Sequence, residues 1–257
     1  MATEPTIEDR RGRAAQELSE KGFMSLAELV QVLGVSESTI RRDLEVLEEQ
    51  GLIRRTHGGA VYVQDSGGHR LAFAERETTA QREKRAIAAA AAALIPPAQT
   101  VILNGGTTCY EVAKAVRGRH LNVITNSVPI ASLLSTELET EVTLIGGYVY
   151  PRTGVALGST AEQQLDFLHA TQLVMSCAGV TEQGAFNSNQ MMVDVERKML
   201  SVAEEVILAV DHTKFGRRAV TKLCGLDEVD VIVTDAGAPA GARSWLDALD
   251  ARVIYAE

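Results

Sequence analysis

Apolar residues recur at two different periods along the chain. Near the start they fall at helical spacing. Leu26, Leu29, Val30 and Leu33 lie at i, i+3, i+4 and i+7, and Ile40, Leu44 and Leu47 at i, i+4 and i+7. From residue 100 onward they come as short unbroken runs: TVILN, LNVIT, EVTLIGG, QLVMSCAG, EVILAVD, VDVIVTD and ARVIYA. Runs of this kind predict strands buried on both faces. Helical segments at 107–118, 127–136, 159–168, 189–204 and 240–249 separate most of them. This alternation predicts an α/β domain with a mainly parallel sheet and helices on both sides, in which ligands sit beyond the carboxyl ends of the strands.

The punctuation of the first part sharpens its two helices. Ser25 can cap the first, Gly34 can end it, and Ser36 can cap the second, with Thr39 three residues on. Two short helices joined by a three-residue turn containing glycine make a helix-turn-helix. Burying Ile40, Leu44 and Leu47 leaves Ser38, Thr39, Arg41 and Arg42 facing elsewhere, near the start of a helix that can read the major groove. The segment LIRRTHGGAVYV then predicts two strands joined at His57-Gly58-Gly59, a wing carrying Arg54, Arg55 and His57. The candidate DNA contacts are therefore Ser36, Ser38, Thr39, Arg41, Arg42, Arg54, Arg55 and His57. The plainer alternative is that Arg41 and Arg42 pair with Glu45 and Glu48 on a solvated helix, and acids outnumber bases over residues 1–64. The capped turn, the helix spacing and the second arginine pair occurring together favour double-stranded DNA as partner. The expected organisation is a winged helix-turn-helix domain at 1–62, a polar linker at 63–77 containing Ser66, Gly67 and Gly68, and an α/β sensor and oligomerisation domain at 78–257.

The chain has 257 residues and a net charge of −9. That excludes a general basic coat for gripping nucleic acid while leaving room for a local basic surface. Three cysteines without a C-x-x-C pair point to a reduced, cytoplasmic setting, with Cys109 in a packing role rather than a redox one. The opening MATEPTIEDRRGRAAQEL lacks an apolar signal core, and AIAAAAAALIPP is too short to span a membrane. The five histidines are scattered, so neither metal nor cofactor is expected.

The stretch TVILNGGTTCYEVA reads as strand, glycine turn and helix start. Backbone N–H groups and the helix dipole make such a turn an anion cradle, although glycine there can serve geometry alone. Its candidate ligand residues are Asn104, Gly105, Gly106, Thr107 and Thr108. At the next strand end, Thr125, Asn126 and Ser127 are either sugar contacts or helix caps. Gly147 and Arg152 in LIGGYVYPRTG offer a bidentate phosphate contact or a surface ion pair. Lys214 in AVDHTKFG is a point charge for phosphate or a solvated lysine.

VSESTIRRDLEVLEEQGLIRRTHGGA closely resembles the DNA-binding signature of the DeoR family of bacterial transcriptional regulators. From REKRAIAAAAAAL through DHTKFG and VIVTD, the rest is similar to that family's sensor domain. The resemblance implies a sensor fold similar to ribose-5-phosphate isomerase and glucosamine-6-phosphate deaminase. It also implies a phosphorylated-sugar effector, with Lys214 as one contact. A repressor rather than an activator, acting as a homodimer or homotetramer, is expected. Two segments depart from the family: Asn104 and Gly105 stand where its loop commonly has an acid and a serine, and SCAGVTEQGAFNSN follows it only loosely. The competing class is a sugar-phosphate isomerase or deaminase, but Asp194, Glu196 and Asp211 form no local catalytic set; a second alternative, a nucleotide-binding redox sensor, is disfavoured because NGGTTC lacks the dinucleotide-binding spacing.

Overall fold

A computed structural model describes residues 7–21, 23–49, 53–56, 58–62 and 73–257. The chain divides into two compact units, with the boundary between Arg70 and Leu71.

The first unit runs α1 (Ile7–Lys21), β1 (Phe23–Ser25), α2 (Leu26–Leu33), α3 (Glu37–Glu49), β2 (Ile53–Thr56) and β3 (Gly59–Tyr62). The helical spacing read from the sequence is the packing seam. Leu29, Ile40, Leu44 and Leu47 are buried together with Leu18, Met24 and Ile53. Ser25 and Glu28 form a reciprocal capping box at the start of α2, and Gly34 ends it in the left-handed region at φ 69°. The wing strands β2 and β3 pair antiparallel, as expected, and β1 adds a third strand on the other edge of β3.

The second unit opens with α4 (Phe73–Thr78) and α5 (Gln81–Ala93). Helix α4 overlaps the end of the segment expected to be linker. It is ordered by packing: Phe73 meets the Tyr110 ring edge-on, and Glu77 pairs with Lys114 at 2.7 Å. Residues 63–72 of that expected linker lie outside the described residues. Then follow β4 (Thr100–Leu103), α6 (Thr107–Ala115), β5 (Leu121–Thr125), α7 (Val128–Leu134), β6 (Thr140–Leu144), β7 (Tyr148–Tyr150), β8 (Val155–Leu157), α8 (Ser159–Leu165) and β9 (Ala170–Met175). The chain continues through β10 (Gly179–Thr181), β11 (Gly184–Asn187), α9 (Gln190–Ser201), β12 (Ala203–Ala209), β13 (Thr221–Cys224), β14 (Val231–Asp235), α10 (Ala240–Leu246) and β15 (Arg252–Ala256).

The seven apolar runs are the seven strands of one sheet, ordered β15-β14-β12-β9-β4-β5-β6, with every neighbouring pair parallel. Helices α5, α6 and α7 cover one face through Ile87, Val112 and Ile130. Helices α8, α9 and α10 cover the other through Leu165, Val193 and Leu246. Burial on both faces is why these strands read as unbroken apolar runs. Two features go beyond that reading: the β7–β8 hairpin and a small antiparallel sheet β10-β11-β13. The loosely matching SCAGVTEQGAFNSN forms the β10–β11 hairpin of that small sheet.

From β4 the chain steps outward through β5 to β6, then returns to the opposite side of β4 for β9 and steps outward again. The strand order therefore reverses between β4 and β9. In doubly wound sheets ligands are received beyond the carboxyl ends of the strands at such a point.

Candidate nucleic-acid interface and effector site

The N-terminus of α3 is fixed by Ser36, whose Oγ accepts the Thr39 N–H at 3.3 Å and lies 2.9 Å from the hydroxyls of both Ser38 and Thr39. Ser36 is thus chiefly a cap. Ser38 is exposed and Thr39 half-buried in the first turn of the helix.

The arginines divide by role. Arg41 pairs with Glu37, one turn back, at 2.6 Å, with both side chains more than half exposed. Such a pair contributes little and opens readily. Arg42 is exposed and has no ion pair or hydrogen bond among the described residues. Glu45 and Glu48, considered above as partners of Arg41 and Arg42, are taken instead by Arg55. Its guanidinium donates to Glu48 Oε2 at 2.7 Å and Glu45 Oε1 at 2.9 Å, and its backbone N–H to Glu48 Oε1 at 2.8 Å. The Arg55 N–H, and then its guanidinium, hold Glu48 below the usual carboxylate range. Arg55 therefore ties the wing strand β2 to α3 through exposed ion pairs. The side chain of Arg54, and all of His57, lie outside the described residues.

Asp43 was not singled out from the sequence. It is 2% exposed on α3 and accepts from Arg10 at 2.6 and 3.2 Å and from Arg11 at 2.9 Å. Burial works against its charge, but the hydrogen bonds from Arg10 and Arg11 outweigh it and hold the carboxyl below its usual range. Two of the basic residues near the N-terminus are thus committed to locking α1 onto the helix that carries Arg42.

In the second unit the glycine turn follows β4, at the switch point. Its residues play unequal parts. Asn104 is 1% exposed and fully engaged within the protein. Its Nδ2 donates to the Ser176 carbonyl at 3.1 Å and to Glu196 Oε1 at 3.2 Å, and its Oδ1 accepts the Ser176 N–H at 3.1 Å and the Cys109 thiol at 3.1 Å. Asn104 is therefore a staple across the crevice between β4 and β9, not a hand held out to a ligand. Cys109 is buried and its thiol pushed far up by that burial, in keeping with a packing role. At Gly105 a Cβ would lie 2.0 Å from Val155 Cγ1, so the glycine lets β8 pack against the turn. Only Gly106, at φ 135° and immediately before α6, has open space where its side chain would be. Thr107 and Thr108 begin α6, where the first N–H groups have no partner within the helix. Neither threonine hydroxyl has a hydrogen bond among the described residues.

The TNS segment also divides. Thr125 Oγ1 donates to the Leu103 carbonyl at 2.7 Å and accepts the Ser127 N–H at 3.0 Å. Ser127 caps α7. Asn126 donates to the Ala156 carbonyl at 3.0 Å, but its buried Oδ1 has no partner among the described residues and points toward Gly105. Gly147, at φ 146°, allows the Leu157 carbonyl to pass 2.6 Å from where a Cβ would be, so it serves geometry.

Sequence reasoning missed the strongest electrostatic feature. The Arg76 guanidinium, on α4, has Nε and Nη2 buried without an acceptor among the described residues. Burial, and then the neighbouring charge of Arg152, pull it below its ordinary range. Lys84, on α5 and 3% exposed, donates to the carbonyls of Arg76 and Thr79, both at 2.5 Å. Its pKa is lowered by burial first. Asp211 opposes that, and Lys214 and Arg76 add to it. Arg152 is exposed at the tip of the β7–β8 hairpin, and Lys214 is half-buried on the turn after β12. Four cations from four elements are thus electrostatic neighbours, with Asp211 among them. Arg76 and Lys84 lie more than a hundred residues from Lys214 and carry no local motif, so sequence spacing had no way to find them. No group of His, Cys, Asp or Glu suited to holding a metal occurs among the described residues, and no described helix is long and apolar enough to cross a membrane.

Comparison with known proteins agrees with this division. Residues 10–66 match the DeoR-like helix-turn-helix domain, and residues 79–236 the DeoR C terminal sensor domain. The HTH-type transcriptional repressor CsqR of Escherichia coli is 34% identical over 98% of this chain and 97% of its own length. The glycerol-3-phosphate regulon repressor of the same species is 34% identical over 89% and 91%. GlpR of Haloferax volcanii, an HTH-type transcriptional regulator, is 33% identical over 96% of each. Among solved structures, ribose 5-phosphate isomerase A from Neisseria gonorrhoeae is similar over 55% of this chain and 56% of its own, at 14% identity and a TM-score of 0.41. The capped helix-turn-helix with its wing, the parallel sheet behind it in the sequence and the two matched domains lead to one conclusion: the chain belongs to the DeoR family, a DNA-binding transcriptional regulator and not an enzyme.

Proposed function

We propose that the protein is a cytoplasmic repressor of carbohydrate-metabolism genes whose operator affinity is set by a small phosphorylated sugar bound in the second unit. The supporting observation is Arg76. A buried guanidinium with two unused donors is expensive to maintain, and an anion is the ligand that satisfies it. Arg152, Lys84 and Lys214 supply the surrounding positive charge, and Gly106 leaves room at a helix N-terminus for a phosphate to approach the backbone. The unpartnered Asn126 Oδ1 offers an acceptor for a sugar hydroxyl.

The names of the similar proteins support repression over activation, and one of them, the glycerol-3-phosphate regulon repressor, is named for a phosphorylated three-carbon compound. On the DNA side, Arg42 is the proposed base reader, with Ser38, Thr39 and Arg41 beside it. One winged domain covers little DNA, so the protein is proposed to act as a homodimer or homotetramer on paired half-sites.

The deciding experiment is thermal shift and operator titration with phosphorylated sugars beside their unphosphorylated forms. Selective stabilisation and a change in operator affinity with the phosphorylated member support the reading. Equal effects from both forms, or none from any phosphorylated sugar, sink it.

A further inference from the structure

Glu196, on α9, is 4% exposed and has no cationic partner among the described residues. Its Oε1 accepts Asn104 Nδ2 at 3.2 Å and its Oε2 accepts Asn187 Nδ2 at 2.6 Å. The Asn104 amide cannot turn over, because Ser176 presents both its N–H and its carbonyl to it. An NH2 group therefore faces Glu196 Oε1 from Asn104, and the Asn187 amide meets Oε2. The carboxylate joins three segments at the switch point: the glycine turn, the end of β11 and α9.

We propose that Glu196 is the positioning residue of the effector site, touching no effector itself but clamping Asn104 and so holding the glycine turn and the ends of β4 and β9 in the receptive arrangement. The inference rests on the reading of that turn as the effector site.

Its consequence is a proton-linked turn. Burial pushes Glu196 up to about 8, against the pull of Asn187 and then Asn104. The ionisable groups coupled to it, Cys109, Cys177 and Cys224, are themselves pushed up by burial and stay neutral over that range. Protonating Glu196 turns the charged acceptor of Asn104 Nδ2 into a neutral and weaker one, and so loosens the turn.

The test is amide hydrogen exchange of the full-length protein from pH 6 to 9.5, corrected for intrinsic rates. Segment 100–112 is compared with segment 231–256 as internal control, in wild type and Glu196→Gln. Protection of the turn is expected to rise about tenfold across the range in wild type, the difference between a charge-assisted and a neutral hydrogen bond, with no step in the control segment and none in the variant. Calorimetry with ribose 5-phosphate and with inorganic phosphate at pH 6.5 and 9 gives the second readout. The phosphate's own ionisation is common to both proteins, so the extra pH dependence of wild type is attributable to Glu196. A flat wild-type profile, a step shared with the control segment, or the same step in the variant overturns the proposal, and the wild-type comparison stands even where the variant fails to fold. A Glu196-dependent step with neither probe bound at either pH refutes the effector reading of the turn, and the positioning role with it.

Discussion

Asn104 and Ser176 face each other across the point where the strand order reverses, and the side-chain amide of the first takes both the N–H and the carbonyl of the second at 3.1 Å. The two halves of the sheet are thereby joined where the crevice would otherwise open. Asn104→Ala leaves a buried N–H and a buried carbonyl unpaired. The expected loss is about 2–4 kcal/mol, read by urea unfolding of the second unit's signal.

Asp43 makes a prediction about pH. Its folded pKa lies below the unfolded value of about 4, so its stabilisation is present above that value and lost as pH falls through the folded one. The first unit should therefore weaken as pH drops below about 4. Asp43→Asn should remove that slope and lower stability at pH 7 by about 1–3 kcal/mol, since Arg10 and Arg11 remain with only partial access to solvent. Urea titrations at pH 7 and pH 3 give both numbers.

On DNA, the arginines should separate. Arg42→Ala is expected to cost roughly 1–3 kcal/mol of operator affinity and to relax preference at one base pair. Arg41→Ala should cost less, because its exposed pair with Glu37 must first open. Arg55→Ala should chiefly lower the unit's stability, and only slightly, because its ion pairs with Glu45 and Glu48 are exposed. Fluorescence anisotropy on a wild-type and a point-mutated operator separates these outcomes. Equal affinity of wild type and Arg42→Ala refutes the reader assignment.

Arg76 sets function against stability. Replacing it with Met removes two buried donors that have no acceptor, so the melting temperature should hold or rise. The response to phosphorylated sugars should nevertheless disappear while operator binding is retained. A variant that still responds fully would remove Arg76 from the site.

Gly105 concerns the turn's departure from its family. A serine there places a Cβ 2.0 Å from Val155 Cγ1, and the displacement should cost about 1–3 kcal/mol. Val155→Ala in the same chain should recover most of that loss. Thermal unfolding of the single and double variants is the check, and additive losses would show that Val155 is not the obstacle.

What the sequence determined by itself was local and periodic. A strand covered on both faces must be apolar throughout, so all seven sheet strands were visible as runs. A helix end must satisfy its own N–H and C=O groups nearby, so Ser25, Gly34 and Ser36 announced the helix-turn-helix. Three-residue strands such as β7, with Tyr148 and Val149 exposed, have no period to detect and went unseen. The roles of polar side chains were decided by tertiary structure alone. Asn104 read as a ligand residue because it begins a glycine turn, yet its partners stand 72 and 92 residues away and consume its bonding capacity. Arg55 read as a free cation, yet α3 brings Glu45 and Glu48 to it. Arg76 had no motif at all, and became a candidate only because folding buried its guanidinium near Arg152 and Lys84. A side chain's hydrogen-bonding capacity is fixed by its chemistry, but whether any of it remains for a ligand depends on neighbours that only the fold assembles.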